Sequence, residues 1–508
     1  FCNALDEKRI TTSKGFLDYL LSIEQLILRK DPELWKSWHH VVNAMLENKK
    51  WKHDLAPFLK LSPALIREQA LSLSAGATWT LEDVPFELSV DSVPLLTFQN
   101  ARLIGKNKND RIEVERTSGV WDLTTNRIQL SGGKLPWTGT QFDSLGYYAE
   151  LGPFELKLNS NGFSCGEATW HADLIANPLQ GRVTTKLQNI SKQDSKTYPR
   201  FNSDFDIIRL EGLYEGVIYE GGMSVKGARI SGIGSPDELA KVDVFRNDTV
   251  FMTFQSTEFL FSPRGFSSSH SRMILSFRND TIGHPDVSVR LDDESGFFRV
   301  MRQTEGLGQQ SFTDSYHDIS WDVDGFTWNR KESKVSIGSV FGGSSKAGVF
   351  ASDAFFKRES FLMMKGIGDI HPLSRVKDFV EDSGQREFSS EDYARFIHMS
   401  ELQARVELLN LANAGFVYFD PETSWCVVLP KVFSNIRNFS GREDYDVLQW
   451  QSSPKSGANA EWSLLNGFMS IYGVDYVFLS DSQDVKIVPR NREVVLSDNR
   501  DFTFNGRL

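Results

Sequence analysis

The chain has 508 residues, of which 40% are hydrophobic and 24% charged, enough for two to four domains with ample cores. Its formal net charge of -11 argues against a general nucleic-acid-binding protein, because phosphate neutralisation requires clustered Lys and Arg. No apolar run approaches the roughly 18 residues that a membrane-spanning helix needs.

Both ends of the chain look cut. It opens with FCNALDEK, which has neither Met nor the charged-then-apolar pattern of a signal peptide, and it ends with FTFNGRL, which resembles the inside of a strand. We therefore expect an internal or truncated fragment of a longer polypeptide. The three cysteines, Cys2, Cys165 and Cys426, cannot form a disulfide framework and neither require nor exclude an oxidising compartment.

Periodicity predicts an N-terminal helical region over residues 1–75. Asp31-Pro32 is typical of a helix start, because Asp caps free N–H groups and Pro fits the first turn. Two apolar stripes follow helical spacing: Phe16, Leu20, Ile23 and Ile27, then Leu34, Trp38, Val41 and Met45. We interpret the aromatic stripe as core rather than as a cofactor site.

Short alternating strands predict a β-stack over residues 76–365 that resumes at 441–508 and continues past the end of the chain. Regular glycines between short strands at 210–360 favour stacked β-coils or a flat sandwich. The expected fold class is therefore mainly β: an elongated stack of short strands and hairpins, either β-solenoid or sandwich-like. It carries the N-terminal helical region and an inserted winged-helix-like α+β module.

Three tryptophans suggest repeated hairpins, because each is followed by apolar residues seven and nine positions later. The sets are Trp121, Ile128 and Leu130; Trp328, Val335 and Ile337; and Trp462, Met469 and Ile471. A sequence this rich in aromatic and strand residues also produces such spacing by chance.

The stretch 460–489 is the densest of these strand patterns. Strands at 462–465 and 468–471 flank Asn466-Gly467, the dipeptide best suited to a type I′ turn. A polar turn at 480–482 then leads into a half-buried strand around Val485 and Ile487.

The hexapeptide 245–250, FRNDTV, returns as FRNDTI at 277–282. Asn and Asp between apolar runs predict two successive hairpin turns for backbone reasons alone. The alternative is glycosylation, at Asn247 and Asn279 or at Thr249 and Thr281, and the sequence leaves it open.

Helical patterns return at 366–440, with Ser389 and Ser400 as predicted caps and Gly415 closing a helix. Helices followed by a hairpin predict a winged-helix-like insert. Its helix SELQARVELLNLANAG carries one Arg against two Glu, which would repel phosphate. A structural or protein-binding module is therefore favoured over a DNA-binding one.

No catalytic motif is present: HExxH, paired CxxC and GxSxG are all missing. Segment 322–325 lacks the other ligands of a calcium loop, and 291–296 reads as an exposed acidic turn. His270, His284 and His317 are predicted on loops without a neighbouring cysteine or paired histidine. We therefore predict no catalytic residue, no cofactor and no metal site.

Several segments resemble a family of very long, uncharacterised proteins from Gram-negative bacteria that have an elaborate secretion apparatus. They are Tyr316-His317-Asp318 leading to Phe326-Thr327-Trp328, 386–420, 474–489 with FLSDSQ, and 499–506. The resemblance covers most of the chain. It implies a large β-rich envelope or exported protein in the periplasm, outer membrane or at the surface, and it maps no activity or catalytic residue.

The expected function is that of a non-catalytic, exported or envelope-associated structural or interaction protein. One alternative is a carbohydrate-active enzyme on a β-coil scaffold, and another is a lipid-transfer component with an apolar β-groove. Protein, envelope polysaccharide and lipid all remain candidate partners, nucleic acid is not expected, and the oligomeric state is left open.

Overall fold

The computed structural model describes residues 13–508 apart from 75, 83, 138–145, 174, 176, 190–195, 205–206, 305, 339–345, 366–369, 421–422, 444, 446, 481–484, 498–501 and 508. The chain is mainly β, with 48% strand and 22% helix, which confirms the predicted class. It divides into two compact units, Phe1–Ile208 with Gly222–Ser231 and Arg209–Gly221 with Gly232–Leu508. The predicted boundaries near 75, 365 and 440 remain a prediction.

The helices are α1 Ser13–Arg29, α2 Pro32–Glu47, α3 Lys52–Glu68, α4 Arg358–Lys365, α5 Pro372–Ser383, α6 Ser390–Phe396, α7 Glu401–Asn413 and α8 Lys431–Phe439. The strands up to residue 256 are β1 Thr78–Glu82, β2 Glu87–Val90, β3 Pro94–Lys106, β4 Arg111–Asp122, β5 Arg127–Leu130, β6 Gly133–Pro136, β7 Tyr148–Leu151, β8 Phe154–Lys157, β9 Gly162–His171, β10 Leu179–Lys186, β11 Arg200–Ser203, β12 Ile208–Tyr214, β13 Val217–Lys226, β14 Arg229–Ile233, β15 Ala240–Arg246 and β16 Thr249–Ser256. The remaining strands are β17 Glu258–Ser262, β18 Gly265–Phe277, β19 Asp280–Asp292, β20 Phe297–Arg302, β21 Phe312–Asp314, β22 Ile319–Asp322, β23 Gly325–Asn329, β24 Lys334–Ile337, β25 Gly348–Ser352, β26 Glu387–Ser389, β27 Val417–Asp420, β28 Trp425–Val428, β29 Gln449–Ser452, β30 Ala460–Ser463, β31 Met469–Tyr472, β32 Val477–Ser480, β33 Val485–Leu496 and β34 Phe502–Arg507.

The N-terminal helices form as predicted, but α1 buries a different face. Asp31 caps α2 by accepting hydrogen bonds from the amides of Glu33 and Leu34, with proline in the first turn. The stripe led by Trp38 is buried, and its indole donates to Ser62 Oγ of α3 at 3.1 Å. In α1, by contrast, the predicted stripe is largely exposed, and Tyr19 and Leu26 are buried instead.

In the first unit the sheet grows from the long hairpin β3–β4. Its register shifts between Phe98 and Ala101, and Asn100 in this bulge has a left-handed φ of +52°. Beyond β4 the pairing divides: one part runs through β5 to β8, and the other through β6, β7, β9, β10 and β11 to β13. Two groups of strands thus begin by pairing with β4 of a single bulged hairpin.

The second unit repeats this design around the hairpin β18–β19, which joins the succession β13, β15, β16 and β18. One half of β19 pairs with β20 and opens the first branch, which continues through β23, β24, β30, β31 and β33 to β34. The other half pairs with β21 and opens the second branch, through β22 and β25 to β29. All these pairs are antiparallel.

Serine hydroxyl groups occupy the bulge of β18, where the register shifts twice between Ser268 and Met273. Ser256 Oγ of β16 donates to the carbonyl oxygen of His270 at 2.5 Å, and Ser268 Oγ lies 3.0 Å from the same oxygen. Both serines are buried. A carbonyl that the bulge removes from the strand ladder therefore keeps hydrogen-bond donors, supplied by two buried hydroxyl groups.

The three tryptophan-led hairpins share one pairing pattern. Trp121 lies directly opposite Ile128, Trp328 opposite Val335, and Trp462 opposite Met469. The residue two positions before each tryptophan pairs with the apolar residue nine positions after it. The spacing therefore identifies three real hairpins, while their origin as a repeat remains a prediction.

Both FRNDT segments form hairpin turns, as predicted, but with loops displaced by one residue. In the first, Arg246 pairs with Thr249, and Asn247 and Asp248 both have positive φ, which is a type I′ turn. In the second, Phe277 pairs with Asp280, so the loop consists of 278–279.

The predicted hairpin at 466–467 is present, but its predicted type I′ turn is wrong. Ser463 donates its amide to the carbonyl oxygen of Phe468, and Gly467 donates to that of Ser463, so these bonds close a four-residue loop, 464–467. Within it only Gly467 has a positive φ, +83°. The polar turn predicted at 480–482 lies largely outside the described residues.

Residues 372–439 run in the order α5, β26, α6, α7, β27, β28 and α8, with a separate three-stranded sheet β26–β28–β27. Ser389 caps α6, and Ser400 forms the predicted capping box with Gln403 at the start of α7. These elements share one apolar core that includes Leu373, Leu408 and Val428.

Replacing both Ser256 and Ser268 with alanine should lower the free energy of unfolding by about 1–3 kcal/mol, because the carbonyl of His270 loses both of its hydroxyl donors. Urea denaturation measures the change. Ser269→Ala is the matched control, since Ser269 is exposed on the same strand. Equal stability of the double variant and the control would contradict the assigned role of the two hydroxyl groups.

Candidate functional site

The histidines singled out in the sequence lie in three different settings. His317 lies in the turn between β21 and β22, whereas His270 and His284 lie inside β18 and β19. The prediction that all three lie on loops is therefore wrong for two of them. The serine-rich sequence of β18 hides its strand character, because small polar residues fill the bulge.

His317 forms the most organised polar cluster of the second unit, with Asp314 as its partner. His317 Nδ1 lies 2.7 Å from Asp314 Oδ2, which also accepts a hydrogen bond from the Trp321 indole at 3.1 Å. The other carboxylate oxygen accepts the backbone amides of Tyr316 and His317 at 3.0 and 3.1 Å. Asp314 therefore accepts four hydrogen bonds, which fix the turn between β21 and β22.

The other ring nitrogen of His317 also faces an acceptor, the carbonyl oxygen of Gly467 at 2.8 Å. A neutral imidazole has one donor nitrogen, so both contacts are hydrogen bonds only when the ring carries two protons. The geometry thus fits an imidazolium that is paired with the Asp314 carboxylate. Both side chains have 0% exposure, so this is a buried ion pair.

The ion pair connects the two branches of the second unit. His317 belongs to the second branch, and Gly467 lies in the loop between β30 and β31 of the first. At Gly467 an added Cβ would lie 2.0 Å from Tyr316 Oη, so only glycine fits. Arg278, at the tip of β18–β19, donates to the same hydroxyl at 2.8 Å. Three loops therefore meet at this point.

His284 is neutral by the same geometric reasoning. Its Nδ1 accepts the amide of Asp286 at 3.1 Å, which leaves Nε2 to donate to the carbonyl oxygen of Gln310 at 2.9 Å. Burial lowers the pKa of His284 to about 4. Burial also raises the pKa of the Asp286 carboxyl, which lies 3.1 Å from Nδ1 of the exposed His270.

Acidic residues of segments 322–325 and 291–296 have structural partners within the protein. Asp322 pairs with Arg302 at 2.5 Å, and Asp324 pairs with Lys346 at 2.9 Å. Asp292 accepts the amide and hydroxyl of Ser295, which makes 291–296 the predicted acidic turn. Across the described part of the chain, no group of three His, Cys, Asp or Glu residues is placed to hold a metal ion.

The two described cysteines are buried, and neither is in a disulfide. Burial raises the thiol pKa of both Cys165 and Cys426. Since the thiolate is the reactive form, neither residue has the environment of a nucleophile. Cys2 lies outside the described residues.

An apolar groove lies along α7 in the second unit. This α7 groove has a volume of about 620 Å³ and is lined by Met364, Pro372, Met399, Leu402, Gln403, Val406, Glu407, Asn410 and Leu411. Leu402 is 73% exposed and Val406 51%, although the opposite face of α7 packs into the core through Leu408. The helix is therefore apolar on two sides.

The charged groups of α7 bind within the protein. Glu407 accepts Arg375 at 2.6 Å and the hydroxyl of Tyr393 at 2.7 Å. Arg405 donates to Ser424 Oγ at 2.6 Å and lies 3.7 Å from Glu401. The exposed face of α7 consequently offers apolar side chains and amides rather than free cations.

Comparisons of the chain with protein-family models, with curated proteins and with solved structures gave no significant match. In the part of the chain that the structure describes, each helix is too short or too polar to span a membrane.

The sequence pointed to His317 but not to Asp314, which carries the cluster. The available signal was the Asp-x-x-His spacing ahead of a tryptophan, in which a carboxylate at a turn accepts the next amides. The α7 groove was also missed, because exposed and buried leucines look alike in the sequence.

Asp314→Asn should lower the free energy of unfolding by about 3–5 kcal/mol, because an amide cannot balance the buried charge of His317 or accept all four donors. Chemical denaturation measures the difference. Asp322→Asn is the matched control: its side chain is 51% exposed, and its ion pair should contribute less than about 1 kcal/mol. A small effect at Asp314 would contradict a buried ion pair.

The His284 site should make the protein less stable in mild acid. The unfolded chain takes up this proton near pH 6.5, whereas the folded protein does so near pH 4. Stability from this group is therefore complete above about pH 6.5 and falls as the pH decreases towards about 4. The expected loss at pH 5 is about 2 kcal/mol.

Unfolding free energies at pH 7.5 and 5.0 test this, with His284→Gln as the variant and His40→Gln, at an exposed histidine of α2, as the control. His284→Gln should lose less stability between the two pH values than the wild type, whereas the control should lose as much. Identical pH dependence in all three proteins would contradict a neutral, buried His284.

Proposed function

We propose that the protein is a non-catalytic structural or interaction protein, exported or associated with a Gram-negative cell envelope, and a member of the long β-rich family that it resembles. One observation carries the non-catalytic part. Asp314, His317 and Arg278 are the residues whose types best suit catalysis. Asp314 and His317 bind each other and backbone groups, and Arg278 donates to the hydroxyl of Tyr316, where three loops meet. The ion pair at their centre is inaccessible to solvent. Their arrangement supports a stabilising role.

Residues 372–439 are proposed to be a winged-helix-like protein-binding module. Support comes from the order helix, strand, helix, helix, strand, strand and from the small antiparallel sheet. In this arrangement α7 takes the place of a recognition helix. Its one arginine is bound internally and its exposed face is apolar, which disfavours contact with phosphate.

The proposed occupant of the α7 groove is an amphipathic helix of a partner protein. The helical part of the lining runs from Leu402 to Leu411, about 13 Å at 1.5 Å per residue, which matches two to three turns of a second helix. Leu402 and Val406 lie one turn apart on the exposed face of α7, so they offer an apolar surface to the apolar face of that helix. A helix that is apolar on two sides is normally covered on both.

Fractionation of cells that express the tagged full-length gene product tests location and assembly together. We expect an envelope or exported fraction in which the protein migrates as a complex larger than one chain. The double variant Leu402→Glu with Val406→Glu should shift it to the size of one chain, because a carboxylate is costly to bury in an apolar interface.

Leu465→Glu is the matched control, since Leu465 is 77% exposed and lies outside the α7 groove. A cytoplasmic pool of the full-length protein would contradict the proposed location. The same migration for the double variant, the control and the wild type would contradict the proposed interface.

A further inference from the structure

A second groove in the second unit differs from the α7 groove in being polar. This amide groove has a volume of about 250 Å³ and is lined by Phe355, Lys357, Val447, Gln449, Gln451, Ser453, Asp475 and Tyr476. We propose that it binds one or two rings of a saccharide. The proposal deepens the proposed function, on which it rests for the expectation that the bound sugar stays intact.

Strand alternation presents the two glutamines. Trp450 and Ser452 of β29 are buried, so Gln449 and Gln451 lie on the opposite, outer face, about 7 Å apart along the strand. Each amide carries both donors and acceptors, which suits the hydroxyl groups of sugars. Within the part of the chain that the structure describes, neither glutamine amide forms a side-chain hydrogen bond.

Backbone contacts fix the segment that carries Asp475 and Tyr476. Ser452 forms an isolated antiparallel bridge with Val474, and the amide of Ser453 donates to the carbonyl oxygen of Gly473 at 3.0 Å. Gly473 has a φ of +71°, and an added Cβ there would lie 2.3 Å from the nitrogen of Pro454. This close approach holds Asp475 and Tyr476 beside the end of β29.

The other wall comes from the neighbouring strand. β25 pairs with β29, and the amide of Phe355 donates to the carbonyl oxygen of Ser352 in the turn that follows β25. Phe355 and the 45% exposed Tyr476 thus give the groove two aromatic rings. A pyranose ring has apolar C–H faces and polar hydroxyl groups. Aromatic rings can contact the former and side-chain amides the latter.

The groove carries few charged groups. Arg492 Nε binds Asp475 at 2.8 Å, and its Nη2 donates to the carbonyl oxygens of Ser453 and Gly473. Lys357 is the one cation among the residues that line the groove as the structure describes it, and its Nζ lies 5.7 Å from the centre of the Phe355 ring. Lys486 Nζ lies 5.6 Å from the centre of the Tyr476 ring. These two ammonium groups fit either a neutral sugar or a uronic acid.

Titration calorimetry of the 508-residue chain with cellotetraose, chitotetraose and tetragalacturonic acid tests the proposal. We expect saturable binding of at least one oligosaccharide, with a Kd roughly in the micromolar-to-millimolar range for so few contacting atoms. Tyr476→Ala and Gln451→Ala should each weaken binding about tenfold through lost stacking and lost hydrogen bonds. Lys357→Ala should weaken only the uronic acid.

Gln385→Ala is the matched control, because Gln385 is exposed and lies outside the groove. Absence of binding to all three sugars, or equal binding by Tyr476→Ala and the control, would overturn the saccharide site and leave the scaffold proposal standing. Chromatography of the sugars after incubation separates the two ideas. For a sugar that binds, recovery in intact form supports both ideas, whereas cleavage supports the site and overturns the non-catalytic function.

Discussion

The second unit depends on one bent hairpin. The bulge in β18 divides the hairpin β18–β19 into two halves that face different neighbours, so β20 and β21 both pair with β19 and start separate branches. A bulge costs ladder hydrogen bonds, and a buried carbonyl without a donor would be costly. The hydroxyl groups of Ser256 and Ser268 remove that cost at His270. Two small polar residues thereby make the branching possible.

The branches that the bulge separates are joined again by the Asp314–His317 ion pair. Its turn lies at the start of the second branch, and its acceptor, the Gly467 carbonyl, lies far along the first. Arg278 brings in the tip of the hairpin itself through the Tyr316 hydroxyl. Replacing a buried ion pair by apolar residues is often neutral for stability, so a plain apolar contact could also hold these loops. The directional bonds additionally specify which loops meet.

The sequence predicted the elements more accurately than their details. Tryptophan spacing indicated three hairpins, and in each of them the tryptophan faces the residue seven positions later. Asn466-Gly467 did not form its preferred two-residue turn, because Gly467 is held by His317 and packs against Tyr316, which are distant in sequence. The two FRNDT segments differ by one residue in the loop, although their first five residues are identical. Tertiary contacts therefore decide where local preference leaves two close alternatives.

Tertiary contacts also decide which hydrogen-bond partners individual side chains have. His284 and His317 are both buried, yet one is held neutral by a backbone amide and the other faces acceptors on both sides. Local sequence could have indicated Asp314, but the distant acceptors, the carbonyls of Gln310 and Gly467, come only with the folded arrangement of strands.

On α7, by contrast, two apolar side chains are left exposed. Leu402 and Val406 stay outside the core because the opposite side of the helix packs into it. Gln310 Nε2 donates to the carbonyl oxygen of Val417 at 2.9 Å and ties β27 of this module to the turn before β21. The module that carries the apolar face is thus bonded to the sheet of the second unit through β27.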